Sequence, residues 1–327
     1  MERWSGLEEV PAGCGPSVVA IGNFDGMHRG HRAVLTQLVD EGRARSARVV
    51  AITFEPHPLQ VLYPERAPAP IAGLRSRLTW MAGTGIDATL VLPFTRELAA
   101  LTPREFVQQV LVDVLGVTAV VVGRDLRFGV RNSGDLTTMR ELGAELGFEV
   151  VVLDDVAGPA PGDGGQRRRW SSSWVRELLA EGDVTAAADV LGRPHRIVGE
   201  VVHGDHRGRG LGYPTANLAQ DATGAVPADG VYAGWLVRLD LDDYARDRVL
   251  PAAVSIGTNP TFGGSQRRVE AYVLDRTDLE LYGEEVAVEL VQRLRDTLTF
   301  GSVDALVEQM ERDVASCREV LAVIAPG

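Results

Sequence analysis

Two histidines three positions apart, His28 and His31, with Gly30 between them, are the residues of this chain best suited to act on a phosphate. They close the run Gly22-Asn23-Phe24-Asp25-Gly26-Met27-His28-Arg29-Gly30-His31, which follows an apolar, β-like segment and opens an amphipathic helix near Arg29. A helix start presents backbone N–H groups without intrahelical partners and the positive end of the peptide dipole, so anions settle there. Imidazoles at that place can stabilise charge developing at phosphorus during transfer from a nucleoside triphosphate. Gly26 and Gly30 then permit close approach of backbone to ligand. A metal pair is the weaker reading, because no third ligand and no cysteine pair lie nearby. A structural role for two polar residues at a helix start stays open.

Three other groups carry chemistry. Ser171-Ser172-Ser173-Trp174-Val175-Arg176 begins another helical pattern. Serines there are ordinary caps, but Ser172 or Ser173 with Arg176 one turn on can also clamp phosphate oxygens. In Thr53-Phe54-Glu55-Pro56-His57-Pro58, two prolines around a histidine make a rigid turn, and Phe54 offers a ring for stacking. The glycine-rich loop 204–212, which includes Gly210 and Gly212, leads into Tyr213-Pro214-Thr215-Ala216-Asn217. It lacks Gly-Lys-Ser/Thr and is not a Walker A loop; a solvated turn is its plain alternative. In an extended segment Thr215 and Asn217 point to the same side, where hydroxyl and amide oxygens could hold Mg²⁺ beside a triphosphate. Glu270, at the head of a strand, is a candidate base for a hydroxyl group.

The elements that must position these residues change character along the chain. In the first half, apolar strands predicted over 17–21, 48–54, 88–92, 118–122 and 148–153 alternate with helices over 29–42, 74–84, 103–115 and 136–146. That alternation predicts an α/β domain, a parallel sheet covered on both faces, with ligands beyond the carboxyl ends of its strands. Residues 22–31, 55–58 and 123–129 fall at such ends. After a helix near 174–181 the period becomes two, as in Val231-Ala233-Trp235-Val237-Leu239. With further strands over 196–203, 250–257, 269–274 and 286–290, a mainly β half with a small closed or nearly closed barrel follows. The apolar stripe from Val303 to Leu321 predicts a C-terminal helix. The boundary falls near 182–193.

The chain has 327 residues, enough for two domains, with a net charge of −12. That balance argues against broad binding to nucleic acid or anionic lipid, though not against nucleotides. No apolar run reaches the roughly 20 residues of a membrane span, and the start of the sequence carries no secretory pattern. Cys14 and Cys317 are expected as free thiols in a reducing cytoplasm. Arg167-Arg168-Arg169, the one basic cluster, is expected in a solvated loop after the flexible-looking stretch 158–165.

Taken together and in this order, these pieces resemble the bacterial bifunctional riboflavin kinase/FMN adenylyltransferase (FAD synthetase) family, from Val18 to about Leu321. Further matching pieces are Gly230-Val231-Tyr232-Ala233, Ile256-Gly257-Thr258-Asn259-Pro260-Thr261-Phe262 and Leu281-Tyr282-Gly283. The resemblance implies a Rossmann-like FMN adenylyltransferase over 1–184, and a barrel-shaped riboflavin kinase with a C-terminal helix over 185–327. It implies catalytic roles for His28, His31 and Glu270, and nucleotide contacts at Gly22, Asn23, Phe24, Asp25, Gly26, Gly30, Ser172, Ser173, Arg176, Gly210, Gly212 and Pro214. Flavin contacts are implied at Phe54, Pro56, His57, Pro58, Asp125 and Phe128, and Mg²⁺ at Thr215 and Asn217. Riboflavin, FMN and ATP are the implied small-molecule partners and FAD the product, in the cytoplasm. The pattern departs from the family at Arg124-Asp125-Leu126, usually Glu-Asp-Phe, and at Trp174, where a cation is usual. A flavin-binding regulator with little turnover is the first alternative. An adenylyltransferase for another small phosphate ester, with the barrel serving only for binding, is the second.

Overall fold

The computed structural model describes residues 1–154, 157–159, 167–204, 212–258 and 267–324. They cluster into two compact units, one of Met1–Ala69 with Leu74–Trp170, the other of Pro70–Gly73 with the chain from Ser171 onward. The helices over 172–191, which the expected boundary at 184/185 divides, are grouped with the second unit.

In the first unit, strands β1 (Glu2–Trp4), β2 (Ser17–Ile21), β3 (Arg48–Glu55), β4 (Ala88–Pro93), β5 (Val117–Gly123) and β6 (Glu149–Leu153) form one parallel sheet in the order β1-β4-β3-β2-β5-β6. Helices α1 (Arg29–Arg45), α2 (Pro58–Leu62), α3 (Leu74–Ala82), α4 (Arg96–Ala100), α5 (Pro103–Phe106) and α6 (Leu136–Leu146) occur along the connections. Neighbouring residues of β2 feed different cores: Val19 packs with Val50, Leu90 and Leu111, whereas Val18 and Ala20 pack with Leu35, Leu38 and Met81. Burial on both faces is why these strands read as continuous apolar runs. Strand β1 is too short for a period and was not anticipated; Trp4, buried under the Arg48 guanidinium at 5.3 Å, ties it down. The helix expected over 103–115 is α only to Phe106 and continues as a π-helix, Val107–Val114.

The arginine cluster is not a loop. Arg167–Arg169 is strand β8, paired antiparallel with β7 (Ala157–Pro159), and its residues are exposed as expected. Pairing of backbone with so short a partner leaves no periodic signal in the sequence. Residues 160–165 of the flexible-looking stretch lie outside the described residues.

In the second unit, helices α7 (Ser172–Glu181) and α8 (Val184–Leu191) precede the barrel; α8 occupies most of the expected linker. Strands β9 (His195–Val202), β10 (Thr215–Leu218), β11 (Gly230–Arg238), β12 (Val249–Thr258), β13 (Arg267–Val273) and β14 (Glu285–Arg295) close in the order β10-β13-β12-β11-β14-β9. All pairings are antiparallel, and closure removes the exposed edges an open sheet would leave. Leu250, Ala252, Val254 and Ile256 of β12 and Val269, Ala271 and Val273 of β13 are buried. Ala253, Ser255, Glu270 and Tyr272 therefore alternate to the other face. Helix α9 (Val303–Leu321) packs Val314, Cys317 and Leu321 against Ala233, Val291 and Leu274. Both cysteines are free and buried, and burial pushes the Cys317 thiol up to about 12, so it stays unreactive.

Candidate active sites

The first unit assembles its chemistry in loops at the carboxyl ends of β2 and β3. Between β2 and α1 the chain turns through left-handed conformations at Phe24 (φ 48°), Gly26 (φ 75°) and Met27 (φ 40°). Only glycine takes this region without penalty; the two side chains are held in it by full burial, Phe24 at 2% and Met27 at 0% exposure. The turn delivers His28 to the cap of α1, where its Nδ1 accepts the His31 backbone N–H at 3.3 Å. The two imidazoles stack with centroids 3.6 Å apart, and the Phe24 ring meets His31 edge-on at 5.4 Å. Gly30 makes this possible in a way the sequence does not announce. A Cβ there would lie 3.0 Å from Cε1 and Nδ1 of His28 and 3.3 Å from the Trp170 carbonyl oxygen. The close approach that Gly30 permits is to the His28 ring and the Trp170 carbonyl.

The loop after β3 is tied to the loop after β2. His57 caps α2 by accepting the Leu59 N–H at Nδ1, 3.1 Å, and its Nε2 lies 3.2 Å from the Asn23 carboxamide. A reciprocal bond from His57 N–H to Gln60 completes a capping box. Thr53 donates to the Asn23 carbonyl at 3.2 Å. The same carbonyl accepts from Arg77 of α3 at 3.0 Å; Arg77 also donates to the Phe54 carbonyl at 3.1 Å and the Glu55 carboxylate at 2.6 Å. Arg77 escaped the sequence reading although a signal was available. It stands on the buried face of α3 with Leu78 and Met81, one cation in an apolar stripe.

The remaining expected flavin positions are spread out. Phe54 packs edge-on against Phe94 at 5.5 Å, and Phe128, buried, faces Phe106 at 6.3 Å in the core. Pro56 and Pro58 flank His57 at the turn into α2. Asp125 pairs with Arg169 of β8 at 2.9 Å, and the unusual Arg124 pairs with Asp154.

On α7, Ser171 does the capping, accepting the Trp174 N–H at 3.2 Å, and Ser172 and Ser173 are the first helical residues. Trp174 is buried at 3% exposure, so the departure from the family pattern puts core packing where a cation is usual.

In the barrel, strand register brings the expected residues together. Asn217 of β10 stands opposite Glu270 of β13, and Thr215 stands opposite Tyr272. On its other side Glu270 faces Ser255 of β12. The Asn217 amide nitrogen is 3.2 Å from the Thr215 carbonyl oxygen and 3.3 Å from its hydroxyl, which turns the amide oxygen away from Thr215. Thr215, Ser255, Glu270 and Tyr272 line a cavity of about 310 Å³ closed by Leu306, Met310 and Asp313 of α9. Sequence reasoning missed Ser255, Arg295 and Asp313. The last two form a two-point ion pair, 2.8 and 2.6 Å, at the cavity wall. Tyr213 packs edge-on against Tyr272 at 5.1 Å, and burial pushes its phenol above the usual range. Gly212 and Pro214 precede β10; Gly210 lies outside the described residues, as does 259–262 of the Ile256–Phe262 motif. Among the described residues no three His, Cys, Asp or Glu side chains converge as a metal set, and no helix is long and apolar enough to cross a membrane.

A family model described as FAD synthetase matches residues 12–160, and one described as riboflavin kinase matches residues 191–321. The chain is 38% identical over 322 residues to the bifunctional riboflavin kinase/FMN adenylyltransferase of Escherichia coli (strain K12), covering 98% of this chain and 97% of that one. It is 38% identical over 306 residues to the protein of the same description from Pseudomonas fluorescens, with 93% of each covered. Among solved structures it is similar to one titled a macrolide-efflux protein from Streptococcus pneumoniae, at 29% identity and a TM-score of 0.81, covering 97% of this chain and 98% of that one.

Proposed function

This chain belongs to the bifunctional riboflavin kinase/FMN adenylyltransferase family, and from that membership we propose how its residues divide the work. The enzyme phosphorylates riboflavin to FMN with ATP and adenylylates FMN to FAD, the first in its C-terminal part and the second in its N-terminal part.

In the kinase reaction the 5′-hydroxyl of riboflavin bonds to the γ-phosphorus of ATP, the bond to the β-phosphate oxygen breaks, and ADP leaves. Glu270 accepts the hydroxyl proton and orients the oxygen, since a primary alcohol is a weak nucleophile at neutral pH. Mg²⁺ would be held by the Thr215 hydroxyl and, with the Asn217 amide rotated so that its oxygen replaces the nitrogen now beside Thr215, by that amide oxygen; it favours oxygen donors and takes its other positions from phosphates and water. When bound it neutralises charge on the transferred group. The register pairing of Asn217 with Glu270 is the observation that carries this reading, because it sets a phosphate-side group beside the base.

In the adenylyl transfer a phosphate oxygen of FMN bonds to the α-phosphorus of a second ATP and pyrophosphate leaves. That oxygen is already ionised, so no strong base is needed; charge stabilisation and alignment are. His28 and His31 supply the first from the start of α1. The loop 22–26 lies along the nucleotide, while Phe54, His57 and Asp125 contact the flavin. Ser172, Ser173 and Arg176 are assigned to this reaction on the motif alone. Both reactions are placed in the cytoplasm, with which two free buried thiols agree.

Incubation with riboflavin, ATP and Mg²⁺, followed by separation of the flavins, tests the whole reading. FMN and then FAD are expected. Bound flavin with neither product would return the protein to the class of regulators.

A further inference from the structure

We propose that Arg77 is a positioning residue for adenylyl transfer, setting the loop that carries the histidines against the loop that carries the flavin contacts. The inference deepens the reading of the first unit given above and rests on it.

Arg77 is 4% exposed, and its guanidinium reaches both strand ends from a third element, α3. One terminal nitrogen donates to the carbonyl of Asn23, in the histidine-bearing loop. The other donates to the carbonyl of Phe54 and the carboxylate of Glu55, at the end of β3, from which the chain continues to His57. A planar fork with several donors can serve acceptors on two chain segments at fixed separation, which a lysine point charge cannot. Packing alone does not account for this residue. Its neighbours on that face of α3 are Leu78 and Met81, and its Nε is buried with no hydrogen-bond partner among the described residues. A methionine would fill the same stripe without desolvating a cation.

The loops so joined hold the two reactants of one step. Relative displacement by about 1 Å costs on the order of a hundred-fold in rate when reacting atoms must be aligned. Arg77 touches neither reactant in this scheme and acts through the backbone it holds.

The test compares Arg77→Met, Arg77→Lys and Glu55→Gln in the full chain, with His28→Ala alongside. Steady-state FAD formation from FMN and ATP is measured, together with FMN formation from riboflavin and thermal unfolding. For Arg77→Met the expected result is a kcat for FAD formation down about ten-fold or more, with KM for ATP within about three-fold. FMN formation stays at wild-type level. Arg77→Lys recovers part of the loss, and Glu55→Gln, at a half-exposed position that folding tolerates, lowers kcat about three-fold. Wild-type kcat in Arg77→Met, or a loss explained fully by unfolded protein, overturns the proposal. If Arg77→Met does not fold, unchanged kcat in both Arg77→Lys and Glu55→Gln overturns it. Should His28→Ala itself leave FAD formation intact, the reading of the first unit fails and takes this inference with it. Loss in His28→Ala without loss in the Arg77 variants removes this inference alone.

Discussion

The groups proposed to react are positioned by different means in the two units. In the first they stand on loops beyond the ends of parallel strands, where direction is set by left-handed turn residues, two histidine caps and the Arg77 fork. In the second, Thr215, Asn217 and Glu270 stand on neighbouring barrel strands, and the ladder itself sets their spacing. A strand needs only its two-residue alternation to aim a side chain, whereas a loop needs supporting residues that do no chemistry. The loop-borne site should therefore be sensitive to substitutions at many supporting positions, and the strand-borne site mainly to its own reactive residues.

The sharpest way to break the comparison is to cross the activities. His28→Ala or His31→Ala should lower FAD formation from FMN about a hundred-fold or more while FMN formation continues, by analogy with loss of a charge-stabilising donor worth about 2.7–4 kcal/mol. Glu270→Ala should do the reverse when FMN is supplied. Separated flavins report both, and loss of both activities in a folded variant would dissolve the division.

Acid should also tell the units apart. His195, fully buried at the head of β9, donates Nε2–H to the Ala225 carbonyl at 2.7 Å, and burial lowers its pKa from 6.5 to about 4. Between these values the unfolded chain binds a proton that the folded chain refuses, so stability rises with pH across the window and is lost on acidification. The loss should approach about 3 kcal/mol near pH 4. In the first unit the capping carboxyls Asp135 and Glu105 are held below their usual values by bonds from Thr138 and Thr102. Their contributions are complete above the ordinary carboxyl values and are lost as the pH falls from those through the lowered ones. Urea unfolding at pH 7 and 4.5 should show a shift that His195→Gln flattens, because glutamine keeps a donor and does not titrate.

A smaller effect is expected at Asn217→Ala, with an apparent Mg²⁺ requirement for FMN formation raised about ten-fold, the scale of losing a supporting metal contact. Titration of Mg²⁺ at fixed ATP checks it, and an unchanged requirement would free Asn217 from that role. Gly30→Ala should cost FAD formation only a few-fold, because the His28 ring can yield by tenths of an ångström. Helix propensity favours alanine there, so stability should hold while activity falls. An equal effect on FMN formation would count against loop sensitivity as a property of one unit.

Legibility in the sequence followed the same division. β2 to β6, the barrel strands except β10, and the helices expected over 29–42, 136–146 and 303–321 were apparent, because burial on two faces, alternation and a helical stripe each leave a period. β1 and β7 are three residues long, and their pairing partners lie far along the chain or carry an exposed arginine run, so nothing periodic marked them. Thr215, Asn217 and Glu270 were legible as residue types, and the register that unites the last two is non-local. The role of Arg77 was hidden for a different reason: two of its three acceptors are backbone carbonyls, which every residue possesses and no motif records.

The cap of α1 also settles a proton's address. With Nδ1 of His28 accepting the His31 amide, the neutral ring carries its hydrogen on Nε2. One imidazole thus combines an asparagine-like near end, which starts a helix, with a glutamine-like far end, which the proposed transfer assigns to the phosphate. Asparagine and glutamine at position 28 would each keep one of these ends, separating the part that folds the loop from the part proposed to act on phosphate.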